Sequence, residues 1–299
     1  MNLRDPRGGG IASATFKYWS IAPAVLLLAA LTVLPALALL RMSVSTITFA
    51  DGREHWALTP ARNIAALASD PALVPTIVNT LLFVVVAVAV EMAAGLALAL
   101  LVGGLTRGKG VMRTILIVPI LVPPVAIGNM FKLMYNYDFG LFNQILAAVG
   151  IPPVSWLGST SLALWSIVLV DVWHWVPFVF LILFAAVEAL PVDVLEAAHV
   201  DGASRWQTLA RIKLPLLKPA IIVALLFRAI LAFKAFDEVY LLTGGGPGTS
   251  SELVSLHLYR VFFEQNQLGY GALLSVLTIV VVLSLLGAGR RFVIGAGAQ

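Results

Sequence analysis

The sequence predicts an all-α membrane protein with six transmembrane helices. Hydrophobic residues make up 60% of its 299 residues and charged residues only 11%, whereas a soluble domain averages about 45–50% apolar and about 25% charged residues. The mean hydropathy is +0.98. A helix that crosses the roughly 30 Å hydrocarbon core needs about 20 mainly apolar residues. Six segments meet this requirement: 19–41, 75–103, 113–134, 161–187, 220–242 and 269–289.

The first apolar segment follows basic residues, as the core of a secretory signal peptide does. Arg4, Arg7 and Lys17 precede it. A signal peptide has an apolar core of only about 7–15 residues and then a small-residue cleavage site. This segment is long enough to span a bilayer and ends at Arg41. We therefore predict a helix that is retained in the protein.

The distribution of Lys and Arg predicts the orientation of the spans. The N-terminus, the second loop, the fourth loop and the C-terminus carry 3, 3, 4 and 2 of these residues, whereas the other loops carry 3, 0 and 1, flanking residues included. Because basic residues are enriched in cytoplasmic loops, we expect a multi-pass protein of the cytoplasmic (inner) membrane with both termini in the cytoplasm. The predicted parts are a cytoplasmic segment at 1–18, a six-helix membrane domain at 19–289 and a cytoplasmic tail at 290–299.

The composition also excludes several classes of function. Basic cytoplasmic loops account for the net charge of +4. No RRM, KH or zinc-finger pattern is present, so nucleic acid is not an expected partner. Membrane lipid is expected, because the composition is that of a membrane protein. The chain has no cysteine, which excludes disulfides, iron–sulfur clusters and thiol nucleophiles.

One stretch between the fourth and fifth spans is unusually polar: "EAAHVDGASRWQTLARIKLP". Asp193 could cap a first helix, because Glu196 follows at the spacing of a capping box. Gly202 suits a turn, Ser204 could cap a second helix, and Pro215 closes the segment. The result would be two short amphipathic helices at an angle. Such an element could lie on lipid headgroups or dock into a groove on a partner protein.

The spacing within this stretch resembles the signature loop of the membrane subunits of bacterial ABC importers. Glu-Ala-Ala is followed by three residues, Gly, nine residues, Ile, one residue and Leu-Pro, without a gap. The resemblance implies the permease fold of type I ABC importers, with a cytoplasmic coupling helix in the loop at 188–219. The residues expected to contact the ATPase are Glu196, Ala197, Ala198, Asp201, Gly202 and Ala203.

The chain itself lacks the motif of an ATPase. No G-x-x-x-x-G-K-[ST] sequence occurs, and "GGLTRGKG" ends in glycine where a magnesium-binding hydroxyl would be needed. We therefore predict no enzymatic activity, no catalytic residue, no metal site and no cofactor in this chain. ATP and magnesium are expected on a separate ATP-binding cassette ATPase dimer, whose closure would move the loop and the spans.

Three further segments resemble the carbohydrate-uptake branch of these importers, in particular its maltose-transporter-like first permease subunit. They are "VPILVPPVA", "VWHWVPF" and "FDEVYLLTGGGPG". The branch's large extracytoplasmic insertion is absent, because residues 42–74 are too few to form it. The resemblance implies two more partners, a second homologous permease subunit and an extracytoplasmic substrate-binding protein.

Ionisable residues at membrane depth are costly and mark candidate sites. Asp171 and His174 are three residues apart and therefore share a helix face. With the neighbouring Trp175 they suit a polyol, although tryptophans here could instead form an interfacial belt. The resemblance places these three residues along the mid-membrane substrate pathway, together with Arg228, Ala232, Lys234 and Ala235.

The other interpretations of these charges are structural. Arg228 could simply pair with Asp171 or Glu91, and for Glu91 we expect such an interhelical partner.

Two cations, Arg228 and Lys234, would also permit an anionic sugar. Three ionisable residues near the outer ends of their spans could reach water instead: Lys132, Asp237 and Glu238.

The glycine run after the fifth span has two interpretations. Gly244, Gly245, Gly246 and Gly248 give the backbone freedom at the outer mouth of the pathway. The run, with Pro247, could contact the binding protein, or it could be a helix terminator followed by a flexible connector.

Together these patterns predict the permease subunit of an ATP-driven importer. Its substrate would be a sugar, polyol or sugar derivative, including an anionic one, moved by alternating access. One alternative is an ion-coupled secondary transporter with Asp171, His174 and Glu91 as a proton relay, which leaves the signature loop unexplained. Another is a membrane scaffold that transports nothing.

Overall fold

The structure, a computed structural model, describes residues 10–296. The predicted terminal segments at 1–18 and 290–299 therefore fall partly outside the described residues. The described residues form two compact units, one running up to Ala68 and including residues 261–277, the other running over residues 69–260 and from Thr278 onwards.

The described residues are mainly helical. The helices are α1 Gly10–Ser43, α2 Pro60–Ser69, α3 Leu73–Gly103, α4 Lys109–Leu121, α5 Pro124–Met134, α6 Leu141–Ala148, α7 Ala163–Glu188, α8 Val192–Val200, α9 Arg205–Thr208, α10 Leu214–Phe233, α11 Asp237–Leu242, α12 Val254–Tyr259 and α13 Leu268–Ala296. Two short π-helical segments, Leu209–Lys213 and Arg260–Glu264, follow α9 and α12. Within the described residues, five helical stretches are long and apolar enough to cross a membrane, or six if the bent pair α4–α5 is one span.

The first unit contains a β-hairpin in what the sequence presents only as a loop. Strand β1 (Ser45–Ala50) pairs antiparallel with β2 (Arg53–Leu58), and Ala50 faces Arg53. The two turn residues, Asp51 and Gly52, both have positive φ, as two-residue hairpin turns of type I′ require.

The predicted third span, 113–134, is wrong as a single helix. Helices α4 and α5 meet at a bend of 90°. Val122 is extended, with φ −81° and ψ 127°, because a residue before proline is disfavoured in the helical region. Pro123 and Pro124 lack the backbone N–H that would continue the helix.

The predicted fifth span, 220–242, is also divided differently. Helix α10 ends at Phe233, and α11 begins only at Asp237. At its other end the helical run starts far earlier, since α9, the π-helical segment and α10 follow one another from Arg205 without a gap. Pro215 does not close the polar segment. It is the second residue of α10, just after the π-helical segment, where the hydrogen bonding already departs from the α-helical pattern.

Small residues set the packing of α3 against α7 in the second unit. Gly95, Ala99 and Gly103 follow one another at intervals of four and lie on one face of α3, as at close helix crossings in membranes. Ala99 is fully buried. A Cβ on Gly95 would lie 2.6 Å from Val179 Cγ1 and 3.0 Å from the backbone nitrogen of Phe180. The two helices can therefore approach this closely only over glycine.

We expect Gly95→Ala to lower the free energy of unfolding by about 1–3 kcal/mol, because the methyl group forces α3 and α7 apart. Gly110→Ala is the matched control, since no atom lies within 4 Å of a Cβ there. Denaturant titration in detergent compares the two variants. Equal effects of both substitutions would contradict the packing argument.

Candidate functional site

A buried ion-pair cluster joins three helices of the second unit. Arg228 on α10 is 0% exposed. Its Nε and Nη2 donate to the carboxylate of Glu91 on α3, with Nη2 2.8 Å from Oε1, and Nη2 also donates to Asp171 Oδ2 on α7. Its remaining nitrogen, Nη1, is buried with no hydrogen-bond partner among the described residues. These three residues are the Arg228 cluster.

The cluster explains how charges are tolerated at this depth. An unpaired ion in a low-dielectric interior is strongly unfavourable, whereas a guanidinium that binds a carboxylate through two N–H groups forms the strongest kind of charged hydrogen bond. The expected interhelical partner of Glu91 is thereby confirmed as Arg228. Arg228 also pairs with Asp171. Direct contact of these residues with substrate stays a prediction.

A second buried pair lies one helical turn further along α7. His174 Nδ1 is 3.0 Å from Glu238 Oε1 at the start of α11. Both side chains are buried. The interpretation that Glu238 reaches water is therefore wrong, while Asp237 and Lys132 are exposed. Because His174 and Glu238 are 64 residues apart, spacing within one helix gives no signal for this pair.

Trp175 connects the two pairs. Its ring centroid lies 5.0 Å from Arg228 Cζ, within cation–π range. The same ring is 4.9 Å from the ring of His174. Trp173 lies elsewhere, with its ring 5.3 Å from that of Phe131 on α5. The two tryptophans therefore have different surroundings, and only Trp175 belongs to the candidate site.

The structure brings together only part of the predicted substrate pathway. Asp171, His174, Trp175 and Arg228 are in contact, as described. Ala232 is fully buried in the apolar core. The half-buried Ala235 follows the end of α10, where its carbonyl accepts a hydrogen bond from Ser255 Oγ. The predicted residue Lys234 is exposed at the C-cap of α10 and does not join the cluster.

The 188–219 loop has two helices with a turn between them. Gly202 forms the turn with φ +72°, a conformation that L side chains rarely adopt. The predicted cap by Ser204 is confirmed, since it forms a capping box with Gln207. The predicted cap by Asp193 is wrong, because α8 starts at Val192 with Pro191 as its N-cap.

Most side chains of this loop are exposed. Among the predicted ATPase contacts, Ala198 is buried and Ala203 is half-buried, and four others are exposed: Glu196, Ala197, Asp201 and Gly202. Two large apolar side chains stand beside them, Val200 at 86% and Trp206 at 79% exposure. Exposed apolar groups with interspersed charge are typical of a protein or membrane contact.

The glycine loop, residues 243–252, is held in place by hydrogen bonds. Ser251 Oγ lies 2.8 Å from Thr243 Oγ1 and 2.7 Å from the carbonyl of Gly246. Gly245 is buried with φ +87°, and a Cβ there would lie 3.1 Å from Glu252 Cβ. These contacts favour a fixed loop over the flexible connector that the sequence also permits. Glycine is required here by conformation and close approach, while contact of Gly244–Pro247 with a binding protein stays a prediction.

The start of α3 anchors the glycine loop. Asn79 Nδ2 donates to the carbonyls of Thr249 at 2.8 Å and Glu252 at 3.2 Å. Thr80 Oγ1 accepts from the backbone N–H of Val254 at 2.9 Å. These contacts fix the loop against the same helix that carries Glu91.

A charged network supports the same loop outside the spanning helices. His257 lies between two carboxylates, with Nε2 2.8 Å from Asp70 Oδ2 and Nδ1 2.9 Å from Glu252 Oε1. Arg260 pairs with Glu252 and donates to the carbonyl of Gly244. Burial by itself lowers the pKa of His257, but hydrogen bonds and charge from Glu252 and Asp70 outweigh it and raise the pKa above 6.5.

This network predicts a pH dependence of stability. Because the folded-state pKa of His257 is raised, its contribution is complete below pH 6.5 and is lost as pH rises through the raised value. We expect the difference in melting temperature between the wild type and His257→Gln to shrink from pH 5.5 towards pH 9. His55→Gln, at an exposed position of β2, is the control. A difference that stays constant across this range would contradict the network.

The fold is that of type I ABC-importer permeases, as the sequence predicts. Residues 91–292 match the family described as the binding-protein-dependent transport system inner membrane component, and the chain belongs to that family.

Two curated relatives are named as sugar permeases. The trehalose/maltose transport system permease protein MalF of Thermococcus litoralis is 46% identical over 178 residues, which is 60% of each chain. The trehalose transport system permease protein SugA of Mycobacterium tuberculosis is 37% identical over 57% of this chain and 53% of its own length. The chain thus spans little more than half the length of the relatives it matches.

One solved structure covers almost the whole chain. It is a bacterial alginate ABC transporter in complex with an alginate pentasaccharide-bound periplasmic protein, and it matches with a TM-score of 0.81 over 95% of this chain and 96% of its own. The sequences are 20% identical. This similarity establishes the fold alone.

Proposed function

We propose that the chain is the permease subunit of an ATP-driven importer that moves a sugar, polyol or sugar derivative by alternating access. The observation that carries this proposal is the connection between the 188–219 loop and the fifth span. The loop exposes α8, and the helical run from Arg205 continues into α10, which carries Arg228. A displacement of the loop can therefore reach the buried cluster along one helical path.

The partners follow from what the chain lacks and what it exposes. It carries no ATP-binding motif, so ATP and magnesium belong to a separate ATPase dimer docked on Glu196–Ala203. A binding protein would deliver substrate at the glycine loop, whose backbone is already fixed. The apolar side chains along α1 are exposed from Leu26 to Leu40, which suits contact with lipid or with a second permease subunit.

The substrate class is supported by the relatives. Two relatives are named as trehalose or maltose permeases, and the family match at residues 91–292 contains the Arg228 cluster and the loop. A carboxylate, an imidazole and an indole beside one another also suit hydroxyl groups and the C–H face of a sugar ring.

The cytoplasmic membrane is the proposed location, with both termini in the cytoplasm.

The mechanism requires that ATP favour one of two conformations. A ligand shifts a conformational equilibrium only by its difference in affinity for the two states. In the proposed cycle, closure of the ATPase dimer moves α8, and α10 transmits the displacement. The site around Arg228 would then open to one side of the membrane at a time.

Substitutions at Gly202 test the coupling. Gly202→Val should reduce ATP-dependent uptake at least tenfold in proteoliposomes that contain the whole transporter, because a β-branched residue strains a turn with positive φ. Gly202→Asn should keep more activity, since asparagine tolerates this conformation. ATP hydrolysis measured in parallel separates uncoupling from loss of assembly.

Two results would contradict the proposal. Unchanged uptake by Gly202→Val would remove the coupling role of the loop. Uptake that survives without ATP hydrolysis but collapses with the proton gradient would indicate an ion-coupled secondary transporter.

A further inference from the structure

The buried charges around Arg228 are unbalanced. Three carboxyl groups, those of Glu91, Asp171 and Glu238, lie close to one permanent cation, Arg228, and one imidazole, His174. All five side chains are buried. The guanidinium charge is already shared between two carboxylates, so this part of the protein has acid in excess.

Lys234, the second cation that the sequence offered for an anionic substrate, does not lie beside Arg228. Lys234 is exposed beyond the last turn of α10, whereas Arg228 lies inside the protein. The two residues therefore do not form the pair of cations that the sequence permitted for an anionic sugar.

We propose that the Arg228 cluster makes the permease selective for uncharged sugars and polyols and excludes anionic sugars. The inference rests on the proposed function, in which substrate reaches this site when the helices move apart. An incoming carboxylate at Arg228 would either displace Glu91 or Asp171 or add a third negative charge beside them, with one guanidinium to balance all three. In either case a carboxylate would remain buried without its own cation, which is strongly unfavourable.

A neutral hydroxyl meets no such penalty. Arg228 Nη1 is a buried donor without a partner among the described residues, and a hydroxyl oxygen can accept a hydrogen bond from it while both ion pairs stay intact. The half-buried ring of Trp175 lies 5.0 Å from the guanidinium and offers an apolar face to the C–H groups of the same sugar.

Binding of matched probes to the assembled transporter tests the proposal. The probes are trehalose, maltose and the monouronate of each, in which one hydroxymethyl group is replaced by a carboxylate. Saturation-transfer NMR on the complex in lipid nanodiscs, without binding protein, measures weak binding to the permease itself. For the wild type we expect each neutral sugar to bind at least tenfold more tightly than its uronate.

Removing the competing carboxylates should abolish this preference. In Glu91→Gln combined with Asp171→Asn, Arg228 becomes free to pair with a uronate, and we expect the ratio of neutral to uronate affinity to fall at least tenfold. Glu54→Gln is the matched control, since it makes the same chemical change at an exposed position of β2. It should leave the ratio unchanged. If the double variant does not assemble, the wild-type ratio alone decides.

The outcomes separate the two proposals. Equal binding of sugar and uronate by the wild type overturns the selectivity, and the importer proposal stands if neutral sugar with its binding protein still stimulates ATP hydrolysis. If no probe binds and no sugar stimulates hydrolysis, the proposed function fails and the selectivity fails with it.

Discussion

The second unit depends on the ion pairs of Arg228 with Glu91 and Asp171. A charged side chain at the bilayer centre is unfavourable by about 3 kcal/mol or more unless it is paired or hydrated. Because one guanidinium pairs with carboxylates on both α3 and α7, separating α10 from these helices would leave buried charge without its partner. Gly95, one turn along α3 from Glu91, allows α3 to pack closely against α7.

Helix α7 connects this cluster to α11, the helix that follows the break after α10. Asp171 binds α10 and His174 binds α11, so adjacent turns of α7 hold the two helices on either side of the break after Phe233. The 188–219 loop is joined to the same α10 by the helical run from Arg205. In the proposed importer, a displacement at the loop would change these buried contacts first.

Local patterns predicted four of the six spans and the Ser204 cap, because apolar length and capping depend on neighbouring residues. The bend at Pro123 was also local, but the apolar content of 113–134 concealed it. The His174–Glu238 pair could not be predicted, since it depends on how two helices are rotated against each other. The glycine loop illustrates a similar limit: a flexible linker and a fixed loop share a composition, and only partners such as Asn79 distinguish them.

The most direct test is a double-mutant cycle between Glu91 and Arg228, measured as free energies of unfolding in bicelles. Each single substitution to Gln should lower stability by about 3–5 kcal/mol, because it leaves a buried charge with too few partners. The double substitution should cost less than the sum, with a coupling of about 1–3 kcal/mol. Additive effects, or single substitutions without effect, would contradict the central role of this pair.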